Sequence, residues 1–219
     1  MFMLDESSVH KQTEELGTMI SRVATMSGTI RDALTGRQSL AGGDFVKGCN
    51  ELIEEIAFIC AREDEQMFGA PIESRRPVFR YQGVLARLQL IAATMVPLAE
   101  ELERALRDGI SLDGAALDHA DTLFTQQQMI LCTLQEAIQT CDTAHLRAVC
   151  KACQELLRLG ERCAAEQGKP VLRGGSVPLF LKLLDLMGSL VRHEQAIVKL
   201  LVRWKGSTKG EPALAPHSG

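Results

Sequence analysis

Thr29-Ile30-Arg31-Asp32-Ala33-Leu34, followed across a glycine-bearing turn by Cys49-Asn50-Glu51-Leu52-Ile53, is met a second time in the chain. The second copy reads Thr133-Leu134-Gln135-Glu136-Ala137-Ile138 and then Cys153-Gln154-Glu155-Leu156-Leu157. Both matches stand at one and the same offset of roughly a hundred residues, with no gap between them, which marks an internal repeat. Any two amphipathic helices could give one such match. A shared register across the intervening turn is harder to obtain by chance. A third pair, Leu85–Val96 against Phe180–Val191, aligns at a shorter offset. The difference falls in the linker between second and third helices, where a change of length costs little.

Outward from these stretches, apolar residues recur with the 3.6-residue period and predict six helices. The first spans Glu6 to Leu34, with Leu16, Ile20, Val23, Ile30 and Leu34 on one stripe, and Gly36 and Gly42-Gly43 interrupt it. The second spans Asp44 to Arg62, followed by a polar linker with Gly69, Pro71 and Pro77. The third runs from Val78 to Arg107, with Pro97 expected to kink or break it, and Asp108-Gly109 closes the first half. Ser111 is read as the cap of a fourth helix, Leu112 to Thr140. Asp142 or Thr143 caps a fifth that ends at Gln167. Gly168, Pro170, Gly174 and Gly175 form a linker, and Ser176 caps a sixth helix reaching Trp204. The expectation is an all-α fold of two tandem three-helix bundle repeats, 1–109 and 110–205, beside a pseudo-twofold axis. Residues 206–219, rich in Gly, Pro, Ser and Lys, read as a disordered tail.

Composition narrows the function. Aromatic residues are 4%, too few for the stacking platforms of nucleic-acid readers, and the net charge of −4 carries no long basic block for phosphate backbones. The acids Glu51, Glu54, Glu55, Glu63, Asp64 and Glu65 read as a solvated helix face. The first ten residues carry Asp5 and Glu6 instead of a basic, then apolar, leader, so no secretory signal is read. The apolar stretches Leu88–Leu98 and Val177–Val191 fall short of the ~20 residues of a spanning helix. A cytoplasmic protein is expected.

The seven cysteines are then reduced thiols. Cys150 and Cys153 form a C-x-x-C, the spacing of a redox pair or half a zinc site, but they lie within a helical pattern and have no second pair to complete a tetrahedral site. Buried structural thiols are the plainer reading. A thiol sensor or metal chaperone built on Cys141, Cys150, Cys153 and Cys163 is the alternative. Cys153 and Cys163 would stand about 15 Å apart along one helix, too far to share a metal. No Glu-x-x-His, phosphate loop, G-x-S-x-G or H-E-x-x-H occurs, and His10, His119, His145, His193 and His217 are scattered. Asp118-His119-Ala120-Asp121 reads as another solvated face, and Asp142-Thr-Ala-His145 as a cap. No catalytic residue is assigned, and no enzyme is expected.

Two tandem three-helix units, Ala33-Leu34 before the turn, and Val46-Lys-Gly-Cys49-Asn-Glu51-Leu52 after it resemble the PhoU family of phosphate-uptake regulators. The second copy has Ala137-Ile138 and Cys153-Gln-Glu155-Leu156. The resemblance runs from about Leu16 to Leu201 and implies an adaptor that couples a phosphate transporter to a sensor kinase. It implies partners that are a transporter subunit or such a kinase, with membrane association only through them. A homodimer is a further expectation, and nucleic acid is not expected. A regulator of another ion or phosphate transporter is the second implied reading. The family holds metal clusters with an (E/D)-x-x-x-D motif, since carboxylates at i and i+4 share a helix face. Carried onto this chain, its acids fall at Cys49 and Ile53 and at Cys153 and Leu157. The family's E-R-I-G-D run falls at Ala86-Arg87-Leu88-Gln89-Leu90 and at Leu181-Lys182-Leu183-Leu184-Asp185. The positions that match are Glu51, Glu155, Arg87, Lys182 and Asp185. Cys49, Cys150, Cys153 and Asp185 are the remaining metal candidates, and no cofactor is expected.

Overall fold

The computed structural model describes residues 6–38, 40–69, 71–112, 114–140, 142–167 and 177–208. They form six helices: α1 (Glu6–Leu34), α2 (Gly42–Met67), α3 (Ile72–Arg107), α4 (Gly114–Thr140), α5 (Thr143–Gln167) and α6 (Val177–Thr208). No strand occurs among the described residues.

Helix ends follow local chemistry. Gly36 and Gly109 take positive φ (70° and 68°) just beyond α1 and α3. At each, two backbone bonds close the last turn: Gly36 N–H to Ala33 O with Arg37 N–H to Asp32 O, and Gly109 N–H to Leu106 O with Ile110 N–H to Ala105 O. This is the Schellman arrangement, which a residue with a Cβ enters only with strain. Asp142 caps α5 as expected, its Oδ1 accepting from the Ala144 N–H at 2.7 Å.

Several boundaries differ from the sequence reading. α2 runs five residues past Arg62, to Met67, and α3 begins at Ile72, so Pro77 lies inside the helix rather than in the linker. Pro71 is the N-cap residue of α3, and Pro77 is the sixth residue of the helix, in its second turn. α3 also continues unbroken through Pro97. Buried neighbours on both sides, Met95, Leu98 and Ala99, hold that segment in the core. Tertiary packing therefore outweighs the lost hydrogen bond. α4 starts at Gly114, three residues after Ser111, which is not its cap. α6 continues to Thr208, so 206–208 are helical; the rest of the expected tail, 209–219, lies outside the described residues. Ser176 and the 168–175 linker also lie outside them.

α3 and α6 form the most extensive helix pair, and α1 and α4 the next; both pairs join the first half of the chain to the second. α2 packs on α3 and α5 on α6, with α5 also against α4. Long side chains bridge α1 and α2: Arg22 donates to Glu55, and Arg62 reaches Glu15. One continuous core takes Leu16, Ile20, Leu52, Leu88, Leu131, Leu156 and Leu190 from all six helices. Full burial of each such side chain contributes about 2 kcal/mol. Among the described residues one helix is long and apolar enough to cross a membrane, Arg75–Arg107 within α3. Its Tyr81, Val84, Leu88, Ile91 and Met95 are fully inside this core.

Candidate functional site

The two cysteines at corresponding repeat positions, Cys49 on α2 and Cys153 on α5, are both 0% exposed. Burial pushes the Cys49 thiol up to about 11. Burial and then the nearby Glu194 carboxyl push the Cys153 thiol higher still. Both act as small core residues, with Cys49 Sγ against Met26 Sδ at 4.0 Å. Cys150 is half-buried one turn before Cys153, and neither is in a disulfide. Among the described residues, no three His, Cys, Asp or Glu side chains gather as a metal site would require. Cys49/Ile53 and Cys153/Leu157 present a thiol and an aliphatic where the motif needs two carboxylates. These residues do not fit a carboxylate-bridged metal cluster.

Glu51 and Glu155, at corresponding positions, lie on exposed surface. Each faces a lysine one turn earlier, Lys47 at 3.9 Å and Lys151 at 3.6 Å. Pairs of this kind contribute a few tenths of a kcal/mol to a helix. Arg87 lies in the α3–α6 seam with Nη1 3.4 Å from His193 Nδ1. Burial, then Arg87 and Arg192, lower the affinity of the His193 ring for a proton. Lys182 is exposed on α6.

Asp185 lines a groove of about 460 Å³ between α5 and α6, Glu155 lines a second groove between α4 and α5, and Glu51 lines an open pocket along α2. The floor of the α5–α6 groove is Leu156, Leu184 and Val191; Glu161, Asp185 and Arg192 stand at its polar edge. Gly160 and Gly188 face it from the two helices, and a Cβ at Gly160 would meet nothing within 4 Å. The second groove, of about 410 Å³, is more apolar, with Met129, Ile130, Val149 and Ala152. Met129 is 64% exposed there, and Phe58 on α2 is 71% exposed. These surfaces suit apolar contacts. None of them brings an activated nucleophile beside a base.

Three polar arrangements were not read from the sequence. Glu63, expected on a solvated face, is 5% exposed and accepts from Gln12 Nε2 at 3.0 Å and Arg62 Nη2 at 3.2 Å. Glu15 joins them, accepting from Arg62 Nη2 and from the Tyr81 hydroxyl at 2.7 Å. Burial and this carboxylate hold the Tyr81 hydroxyl protonated well above its ordinary range. Asp121, also expected to be solvated, receives Arg31 in a two-pronged bond, Nε–Oδ1 at 2.6 Å and Nη2–Oδ2 at 3.3 Å. His119 turns its ring toward Phe180, with centroids 6.4 Å apart. The third arrangement, Ser27–Gln127–Glu194, crosses the seam between the halves.

The sequence carried a signal for this third arrangement. Gln127 sits in the apolar register of Ala120, Leu123, Phe124, Ile130, Leu131 and Leu134, and Glu194 in that of Met187, Leu190, Val191, Ile197 and Val198. A polar residue in the core register of a helix needs a partner inside the fold.

No protein-family model matches the sequence, and no curated protein matches it. Solved structures do match. The phosphate transport system regulatory protein PhoU from Streptococcus pneumoniae superposes with a TM-score of 0.80 at 10% identity, covering 92% of this chain and 97% of that one. PhoU from Pseudomonas aeruginosa superposes at 0.71 with 14% identity and the same coverage. The six helices of this chain therefore have the fold of the PhoU proteins.

Proposed function

We propose that this chain is a regulatory protein of phosphate transport that works through protein–protein contacts, without catalysis, in the cytoplasm. One observation carries the reading: the superposition with a TM-score of 0.80 spans 92% of this chain and 97% of a phosphate transport regulator. The helix faces support a contact role, because Met129 and Phe58 expose apolar surface without any reactive constellation beside them. A transporter subunit or a sensor kinase is the partner this reading names, with any membrane association coming through it. Self-association into a homodimer is compatible with the same surfaces.

The test removes the gene from its native cells and follows a phosphate-starvation reporter at high phosphate. Derepression, reversed by the intact chain, is the expected result, together with co-purification of a phosphate transporter's ATPase subunit or a sensor kinase. An unchanged reporter with neither partner recovered overturns the proposal.

A further inference from the structure

Ser27 on α1, Gln127 on α4 and Glu194 on α6 are each 0% exposed. Ser27 Oγ–H donates to Gln127 Oε1. Gln127 Nε2–H donates to Glu194 Oε1 at 2.6 Å. The second carboxyl oxygen, Oε2, is buried without a hydrogen-bond partner. The line thus begins in the first half of the chain and ends in the second, across the α1–α4 pair.

What faces this carboxyl from each neighbouring helix is neutral or engaged elsewhere. α1 presents the Ser27 hydroxyl, α4 the Gln127 amide, and α5 the Cys153 thiol, itself pushed toward its protonated form partly by Glu194. Arg87 on α3 instead meets His193, the residue before Glu194. Among the described residues no Lys, Arg or His forms an ion pair with Glu194. An ionised carboxylate here would have one neutral donor and no countercharge, which costs several kcal/mol. The protonated acid carries no charge, so it avoids that cost and leaves only its Oε2 hydroxyl without an acceptor.

We propose that Glu194 is a proton-operated latch between the two halves: protonated, it completes a neutral Ser27–Gln127–Glu194 line that lets α1, α4 and α6 close. Ionised, it draws water to the seam and favours a loosened arrangement. Opening then releases one proton. The proposal does not depend on the identity of a partner.

The direction follows from linkage. Burial moves the Glu194 titration up to about 8 in the closed protein. A hydrated Glu titrates near its ordinary value, about 4.3. Between those values the closed form holds a proton that the open form has lost. Closure is therefore favoured at acid pH and weakens as pH rises through that window, levelling off above it. The window covers the pH of a cell interior.

Carboxyl 13C NMR of the full chain labelled at glutamate is the direct test. One resonance is expected to titrate near pH 8, well apart from the remaining glutamates, and to vanish in Glu194→Gln. Hydrogen exchange around Ser27, Gln127 and Glu194, corrected for intrinsic rates, should lose protection about tenfold per pH unit between about pH 5.5 and 7.5. In Glu194→Gln, which keeps a neutral acceptor for Gln127, protection should be flat across that range. A carboxyl that titrates below about pH 6, or protection that falls alike in both proteins, overturns the latch. Should the variant not fold, the titration of the unmodified chain decides by itself.

Discussion

Cys49 and Cys153 stand at matching positions of the two repeats and are both inside the core, their thiols held protonated by burial. Cys132 is exposed on α4. A thiol reagent such as DTNB should therefore react with Cys132 in the native protein, and Cys132→Ser should remove that fast phase. Cys49→Ser and Cys153→Ser should leave it unchanged. Each of those two should lower stability by about 1–3 kcal/mol, because a buried hydroxyl replaces a thiol without gaining a partner. The Arg31–Asp121 pair offers a second measurement at this scale. The Arg31 bond holds the Asp121 carboxyl below its ordinary range. That contribution is present above the ordinary carboxylate value and is lost as pH falls through the lowered one. Both side chains keep partial contact with water, 21% and 32% exposed. A double-mutant cycle with Arg31→Gln and Asp121→Asn by urea unfolding should give a coupling of about 0.5–1 kcal/mol near pH 7. The coupling should vanish in strong acid.

Among the elements, α5 is the helix whose ends and middle are easiest to read. Asp142→Ala removes the bond to the Ala144 N–H and should cost about 1 kcal/mol. Gly160 lies in mid-helix with ordinary helical backbone, and a Cβ there would enter open groove. Gly160→Ala should stabilise the protein by about 0.5–1 kcal/mol in denaturant titration. A destabilised Gly160→Ala would mean that the groove is more closed in solution than between these helices. α3 shows the opposite relation between sequence and element. Its two prolines argued for a later start and a break, and the helix has neither. Both prolines are local signals, whereas Tyr81, Val84, Leu88 and Leu98 bury an unbroken stripe that overrides them.

At the scale of the molecule, the halves share one core, and their main contacts are α3 on α6 and α1 on α4. Separating them would open the seam where Gly83 lies against Leu200 and where Ser27 meets Gln127. Expressed alone, the segments 1–109 and 110–208 should each be loosely packed, with weak near-UV circular dichroism and strong ANS binding. The full chain should unfold in a single transition. Two resolved transitions, or well-packed separate halves, would show that the seam is dispensable.

The sequence by itself determined the helix count, the approximate helix limits and the resemblance to PhoU. Period and repeat register are properties of the chain read along one dimension. The resemblance also led to the expectation that Cys49 and Cys153 fall where the family carries acids. The sequence did not determine what those residues meet. Asp121 and Glu63 looked solvated because their neighbours along the chain are polar, and each found its partner on another helix. Glu194 was not singled out in the sequence, although it is an acid in an apolar register; that it meets Gln127 and keeps Oε2 bare depends on how six helices close around one core. Local chemistry selects helices, but desolvation and pairing of polar groups are settled by neighbours distant in sequence, which only the tertiary structure supplies.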